Sequence, residues 1–206
     1  MFDYTHFAQS LEQLGASPSQ DLFRELETLY SESTRFYHNK THVAECLSNF
    51  QPYRTQAQHP AEVELAIWYH DAIYDTKAPD NEEQSAILAE QALGTLDLDT
   101  AVIDRIVEMI LATKSHAVTS MDSMLMVDID LGILGTPPDV FETYDANIRK
   151  EYHWVPLEVY GPGRIQVLQS FLERDLIYHC PQIHNLLEAQ ARRNLTAKIQ
   201  QLGKEQ

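Results

Sequence analysis

An all-α fold is predicted by three observations. Apolar residues recur at three- and four-residue spacing along nearly the whole chain, the spacing that lines one face of a helix. Residues that start and stop helices bracket those runs. No run of strand-like residues finds a second run to pair with, as a sheet would require.

Phe7, Leu11 and Leu14 share a face of the first predicted helix, which is stopped near Gly15. Ser17-Pro18 opens the second, with Leu22, Leu26, Leu29 and Tyr30 turned inward; Ser ahead of Pro in a first turn is a good start signal. A turn-like approach over residues 36–40 leads into a third helix from about Thr41, with Val43, Cys46, Leu47 and Phe50 inward and Pro52 closing it. Residues 61–73 are apolar on nearly all sides, so this helix is expected at the centre. A polar loop around Pro79 precedes an Ala-rich helix over residues 84–93, introduced by Asn81-Glu-Glu83 and ended at Gly94. Asp99-Thr100 caps a helix that carries Val102, Ile106, Met109, Ile110 and Thr113. The apolar run 124–134 contains two aspartates and reads as a buried helix, since no partner strand exists for it. Pro137-Pro138 opens a helix to about Tyr152, and residues 159–178 form another, with a break or turn expected at Gly161-Pro-Gly163. Pro181 starts the last helix, which ends in a polar tail over residues 202–206. There are no internal repeats or low-complexity segments.

At 206 residues the chain suits one domain and can bury a substantial core. Carboxylates number 31 against 15 Lys plus Arg, a formal net charge of −16. A surface of that sign repels phosphate polymers, so nucleic-acid binding along an open groove is not expected. A small phosphorylated substrate remains compatible, because a dication and a few local cations can invert the field inside a pocket. Cys46 and Cys180 are the only cysteines; they lack metal-type spacing and supply no disulfide framework. Cys46 falls on an apolar helical face and reads as buried and inert. Met1-Phe-Asp-Tyr-Thr-His6 lacks the basic start and apolar core of a signal peptide. No stretch is apolar and long enough to span a bilayer. The expected location is cytoplasmic, with no membrane partner; a homodimer is compatible with the sequence.

The most informative residues are a histidine pair in Tyr37-His-Asn-Lys-Thr-His42, the dipeptide His70-Asp71 after Ala66-Ile-Trp68, and an aspartate pair in Val127-Asp-Ile-Asp130. Imidazole and carboxylate ligands suit a divalent transition metal or Mg, and helices in a bundle can aim such groups at one point. Adjacent helical residues point about 100° apart, so His70 and Asp71 can reach one ion only near a helix end or from its flank. An unpaired Asp beside that apolar run would be costly to bury, and a dication would offset the cost. Any one of these residues alone is more often a satisfied buried histidine, or a capping or ion-paired aspartate. The ordered combination favours a metal.

With that order in place, the sequence resembles the HD superfamily, in particular its branch of predicted metal-dependent phosphohydrolases. The resemblance rests on Arg35-Phe-Tyr-His-Asn-Lys-Thr-His42, Glu64-Leu-Ala-Ile-Trp-Tyr-His-Asp-Ala-Ile-Tyr-Asp75, Asp80-Asn-Glu-Glu-Gln-Ser-Ala86, Thr113-Lys-Ser-His116, Asp128-Ile-Asp-Leu-Gly-Ile-Leu-Gly135 and Ile148-Arg-Lys-Glu-Tyr152. It implies a single HD-type helical domain over residues 1–206, with a motif-bearing core at about 30–155 and terminal helices packed on it. It further implies one divalent metal ion (Mn, Mg, Ni, Co or Fe) held by His42, His70, Asp71 and Asp130. Asp128 is the alternative to Asp130; in the superfamily the last Asp often starts a helix after a small apolar residue, which favours Asp130.

Other residues carry open roles. His38, four residues before His42, is a candidate for catalysis beside the metal or for facing substrate. Glu82 is a candidate acid or base, or a carboxylate favoured at a helix N-terminus. His116 is a candidate catalytic group beside the phosphate, or a surface histidine after a helix end. A second metal would be thinly supplied, since His116 is the only histidine between the His-Asp dipeptide and the last Asp. Arg35, Lys114 and Arg149 are candidate grips on an anionic substrate; Arg149 could equally pair with Glu142 or Glu151. Tyr37, Tyr69 and Tyr74 could stack a base or sugar or simply wall a pocket.

The expected function is metal-dependent hydrolysis of a small phosphoester, a nucleotide among the candidates, by a metal-activated water that Asp71 helps to orient. Two alternatives stay open: a metal- or nucleotide-sensing module without turnover, and a diiron HD-fold oxygenase. The superfamily hosts many substrates on one fold, so the resemblance names none.

Overall fold

The computed structural model describes residues 1–204, and among these every regular element is helical. Two compact units follow each other in sequence, Met1–Asp130 and Leu131–Gln206.

The first unit is built from α1 (Tyr4–Gln13), α2 (Gln20–Leu29), α3 (Lys40–Phe50), α4 (Pro60–Tyr69), α5 (Asn81–Leu93), α6 (Thr100–Ser115) and α7 (Met121–Asp130). α4 is its axis. It packs against α1, α3, α5, α6 and α7, and every residue from Ala61 to Tyr69 is buried. A helix enclosed on all sides needs no polar face, which explains its lack of amphipathic pattern. Two glutamates are nonetheless inside it, each with a partner. Glu62 accepts a bidentate pair of hydrogen bonds from Arg105, both 2.7 Å. Glu64 accepts from Arg54 at 3.0 Å, Ser10 at 3.1 Å and Gln51 at 3.3 Å. Neither carboxylate is therefore left unpaired in the core. An aromatic cluster of Phe2, Phe7, Phe23 and Trp68 closes one side, with ring centroids 4.8–6.2 Å from that of Trp68.

The boundaries depart from expectation at physically intelligible places. α2 begins after Ser19, whose side chain accepts from the Leu22 amide, two residues beyond the Ser17-Pro18 start. Phe23, rather than Leu22, is then fully inward with Leu26. α4 stops at Tyr69 and not at Ile73, leaving His70 at its C-terminal cap. Gly15 ends α1 with a left-handed φ of +81°, a conformation that favours glycine.

The second unit opens with a 3-10 turn, Leu131–Gly135, and continues through α8 (Pro138–Glu151), α9 (Leu157–Leu172) and α10 (Pro181–Leu202). The 3-10 turn and α9 both pack on α10. Asn194 of α10 donates to the carbonyls of Leu134 and Thr136 at 2.9 and 2.8 Å. The break expected at Gly161-Pro-Gly163 is absent: α9 runs through Pro162 without interruption. Proline at this point removes one hydrogen bond near the helix start, and the carbonyl it would have served belongs to exposed Glu158, which water can reach. Of the polar tail, Glu205 and Gln206 lie outside the described residues.

Candidate metal centre

Four side chains from three helix termini converge on one point. His42 sits in the first turn of α3, whose start is fixed by the Asn39 side chain accepting from the Thr41 amide at 2.8 Å. His70 is the C-terminal cap of α4, and Asp71 follows it in the turn. Asp130 is the last residue of α7; it ends a helix where the resemblance would have it start one. Ligand atoms of these four residues all lie within 4.8 Å of one another. Asp128, two residues earlier on α7, is fully buried and does not belong to this group.

The spacings are tight. The Nε2 atoms of His42 and His70 are 3.1 Å apart. Asp71 Oδ2 is 3.4 Å from His42 Nε2 and 3.0 Å from His70 Nε2. Asp130 Oδ1 is 3.2 Å from His42 Nε2 and 3.4 Å from His70 Nε2. Ligand atoms bound to one ion at about 2.0–2.2 Å lie about 3.0 Å apart at octahedral angles and about 3.4 Å apart at tetrahedral ones. The donor set and its spacing therefore fit a divalent transition metal or Mg, and they are tight for Ca, whose bonds are longer.

Proton placement leads to the same conclusion. His70 Nδ1 lies 2.9 Å from the Ile67 carbonyl, so Nδ1 carries a hydrogen and donates it. The neutral ring then presents a bare Nε2 to two carboxylates and a second imidazole. Such convergence of lone pairs requires a cation, either added protons or a metal. A histidine whose second nitrogen donates to a backbone carbonyl is the usual arrangement in metal sites.

Without a metal the cluster holds protons. For His70, burial is the largest single influence and opposes the charged ring. The charge of Asp71 and hydrogen bonds to Asp130 and Asp71 outweigh it, so the pKa stands well above the usual histidine range. For His42, burial is likewise outweighed, by Cys46, Tyr37 and the two aspartates. Burial would raise both carboxyl pKa values, but the histidines win: Asp71 is held well below the usual carboxylate range by His70, His38 and His42, and Asp130 by His42 and His70.

The turn that carries His70 and Asp71 is anchored on every side. The last four carbonyls of a helix lack partners within it, and here each finds one. The Ala66 carbonyl accepts from the His70 amide, Ile67 from the His70 ring, Trp68 from the Tyr30 hydroxyl at 3.1 Å, and Tyr69 from the Ala72 amide. Beyond the helix, Ser85 Oγ accepts from the Ile73 amide at 3.0 Å and donates to the Ile73 carbonyl.

The remaining candidates fall in different places. His38 stacks on Tyr74 with centroids 4.2 Å apart, and its charge acts on Asp71. Arg35 is buried, and its guanidinium donates to the carbonyls of Asp71, Ala72 and His38. Lys114 is held by Glu83 and the Pro79 carbonyl, with Glu82 close enough to act on its charge. Glu82 itself lies in the first turn of α5. His116 caps α6 in a left-handed conformation, φ 56°. Arg149 belongs to the second unit, where it donates to the Tyr152 and Val155 carbonyls and lies over the Tyr160 ring at 4.5 Å. Tyr69 points into the core, buried beside the aromatic cluster.

Three residues to which the sequence assigned no role at the centre touch it or its supporting turn. Cys46 Sγ is 3.7 Å from His42 Nδ1; the four-residue spacing on one helix face was the available signal. Tyr30 and Ser85 act on backbone groups, for which spacing carries no signal. Comparisons of the chain with protein-family models, curated proteins and solved structures find no match.

Proposed function

We propose that this protein is a metal-dependent hydrolase of small phosphoesters with an HD-like active site. The observation that carries the reading is the two-His, two-Asp cluster whose histidine nitrogens and carboxylate oxygens stand 3.0–3.4 Å apart. His42, His70, Asp71 and Asp130 would hold one divalent ion. Bound there, such an ion supplies Lewis acidity toward a phosphoryl oxygen and lowers the pKa of a coordinated water.

The chain's own groups have separate tasks in this reading. His70 keeps its Nε2 lone pair toward the centre because its other nitrogen donates to Ile67. Asp71 and Asp130 are less enclosed than the histidines, with 17% and 19% of their side chains exposed, so they form the side from which substrate and water enter. Asp71 would orient the attacking water, and His38, whose ring centroid is 5.8 Å from that of His42, would hand a proton to the leaving group. Glu82 and His116 are proposed to act on the same proton inventory. Lys114 and Arg149 are assigned to the substrate's negative charge; for Arg149 the support is the resemblance alone. A small substrate fits better than a polymer because the chain carries a net charge of −16, which opposes extended phosphate chains outside the local field of the centre.

Turnover of a panel of nucleotides and other small phosphomonoesters and diesters, with protein reconstituted separately with Mn, Co, Ni and Mg, tests the proposal. Hydrolysis of at least one member, lost in Asp71→Ala, is expected. No turnover with any metal would end the hydrolase reading. Ligand-induced thermal shifts without turnover would leave a sensing module, and two irons per chain would point to the oxygenase.

A further inference from the structure

We infer that Arg35 is a positioning residue for the metal centre, one that places the His70-Asp71 turn and His38 relative to His42 and does not itself grip substrate. The inference rests on the proposed metal site and adds to it the residue that sets its geometry.

Arg35 lies in the link between α2 and α3, yet its side chain is almost wholly enclosed, 1% exposed. Its terminal nitrogens serve backbone carbonyls. Nη1 donates to the Asp71 carbonyl at 2.6 Å and to the His38 carbonyl at 3.2 Å. Nη2 donates to the Ala72 carbonyl at 2.8 Å. Nε donates to Glu32 Oε2 at 2.8 Å, which supplies the counter-charge. The guanidinium also lies near two aromatic rings, 5.2 Å from the Tyr30 centroid and 5.6 Å from that of Tyr74. Tyr30 is the residue that takes the Trp68 carbonyl, and Tyr74 is the ring stacked on His38. One planar cation thus joins the segment before α3, which carries His38, to the turn after α4, which carries two metal-ligand candidates.

The geometry explains why the residue is an arginine. Three carbonyls and a carboxylate approach from directions that the planar fork can serve together, and an ammonium on a flexible stem cannot. A cation also suits the C-terminal end of α4, where the helix dipole is negative. Four of the five guanidinium N–H donors are committed to these bonds, and three of the four serve the two segments that carry His38 and Asp71.

The test uses Co(II), which reports its ligand field in the visible spectrum, titrated into metal-free wild type, Arg35→Lys and Arg105→Lys. Arg105 is the control: it clamps Glu62 in the first turn of α4, the opposite end from His70. Arg35→Lys is expected to stay folded by circular dichroism, to bind Co(II) about 10–100-fold more weakly, the loss typical of partners that orient a ligand, and to show shifted d–d bands. Arg105→Lys is expected to keep wild-type affinity and spectrum, whatever it loses in Tm. Arg35→Lys with wild-type affinity and spectrum would overturn the inference, as would an equal loss of affinity in Arg105→Lys. Should Arg35→Lys not fold, Arg35→Ala refolded with millimolar guanidinium is expected to recover Co(II) binding only while the guanidinium is present; recovery without it, or none with it, overturns the inference. Wild type that takes up no Co(II) would sink the metal reading and this one together, whereas wild type that binds beside an Arg35→Lys that binds as tightly sinks this one alone.

Discussion

His70 can offer only one nitrogen to the centre, because the other is engaged by the Ile67 carbonyl at 2.9 Å. Its ring therefore cannot flip without breaking that bond, and Nε2 is presented in one orientation. Asp71 and Asp130 supply the oxygens on the more open side. Replacing either by Ala should lower metal affinity by more than about 100-fold, beyond what loss of an orienting partner produces. Asp128→Asn should retain the wild-type ion content, since Asp128 stands outside the cluster; elemental analysis of the purified variants checks both. The four residues that meet here were legible from sequence because metal chemistry restricts which residue types can serve and because their order is distinctive. Arg35 was legible only as a scarce cation. Its partners are backbone carbonyls, which every residue carries, so nothing in the sequence marked them.

Elements place these groups by ending where they do. α3 starts just before His42, α4 ends just before His70, and α7 ends on Asp130. The expectation that His70 and Asp71 share an ion only near a helix end is met because α4 stops four residues earlier than its apolar pattern suggests. Apolar pattern reports burial, and burial continues past Tyr69 into Ala72, so the end of the helix was hidden within it. The start of α2 was misplaced for a related reason: Ser17-Pro18 and Ser19 are both credible signals, and the hydrogen bond from the Leu22 amide decides for Ser19. In the second unit the 3-10 turn depends on a close approach to α10. A Cβ on Gly135 would come within 2.6 Å of Leu187 Cβ and 2.9 Å of its backbone oxygen. Backbone cannot move aside cheaply, so Gly135→Ala should destabilise the fold by about 1–3 kcal/mol, read as a lower midpoint in chemical denaturation at unchanged slope.

At the scale of the whole molecule, pH should act oppositely on the metal-free and metal-bound forms. In the metal-free protein the two histidines have pKa values raised above the ordinary 6.5. Their contribution is complete below that value and is lost as pH rises through the folded-state pKa. Asp71 and Asp130 are lowered from 3.8, so their contribution is present above that value and is lost as pH falls through the folded-state pKa. Between these limits the protonated cluster stabilises the metal-free fold. A metal must displace those protons, so its affinity should rise steadily from mildly acidic to alkaline pH, with protons released on binding. Calorimetric titration of Co(II) or Mn(II) in buffers of different ionisation enthalpy measures both quantities. Affinity independent of pH between about 5.5 and 8, on either side of the ordinary histidine pKa, would contradict the shared-proton cluster. The same experiment at the extremes compares Tm with and without ion, where the stabilisation by bound metal should be larger at the alkaline end.

The full occupation of the carbonyls at the end of α4 has a kinetic and calorimetric consequence. A binding site assembled by its ligand must order chain and bury surface at the moment of capture, which slows association and leaves a negative heat-capacity change. Here Tyr30, Arg35 and Ser85 fasten the turn through bonds in which no candidate ligand atom takes part, so the mould is not made by what is poured into it. Capture then reduces to exchange of hydration water and protons at four atoms, and the signature should be that of ion chemistry alone, with little trace of folding.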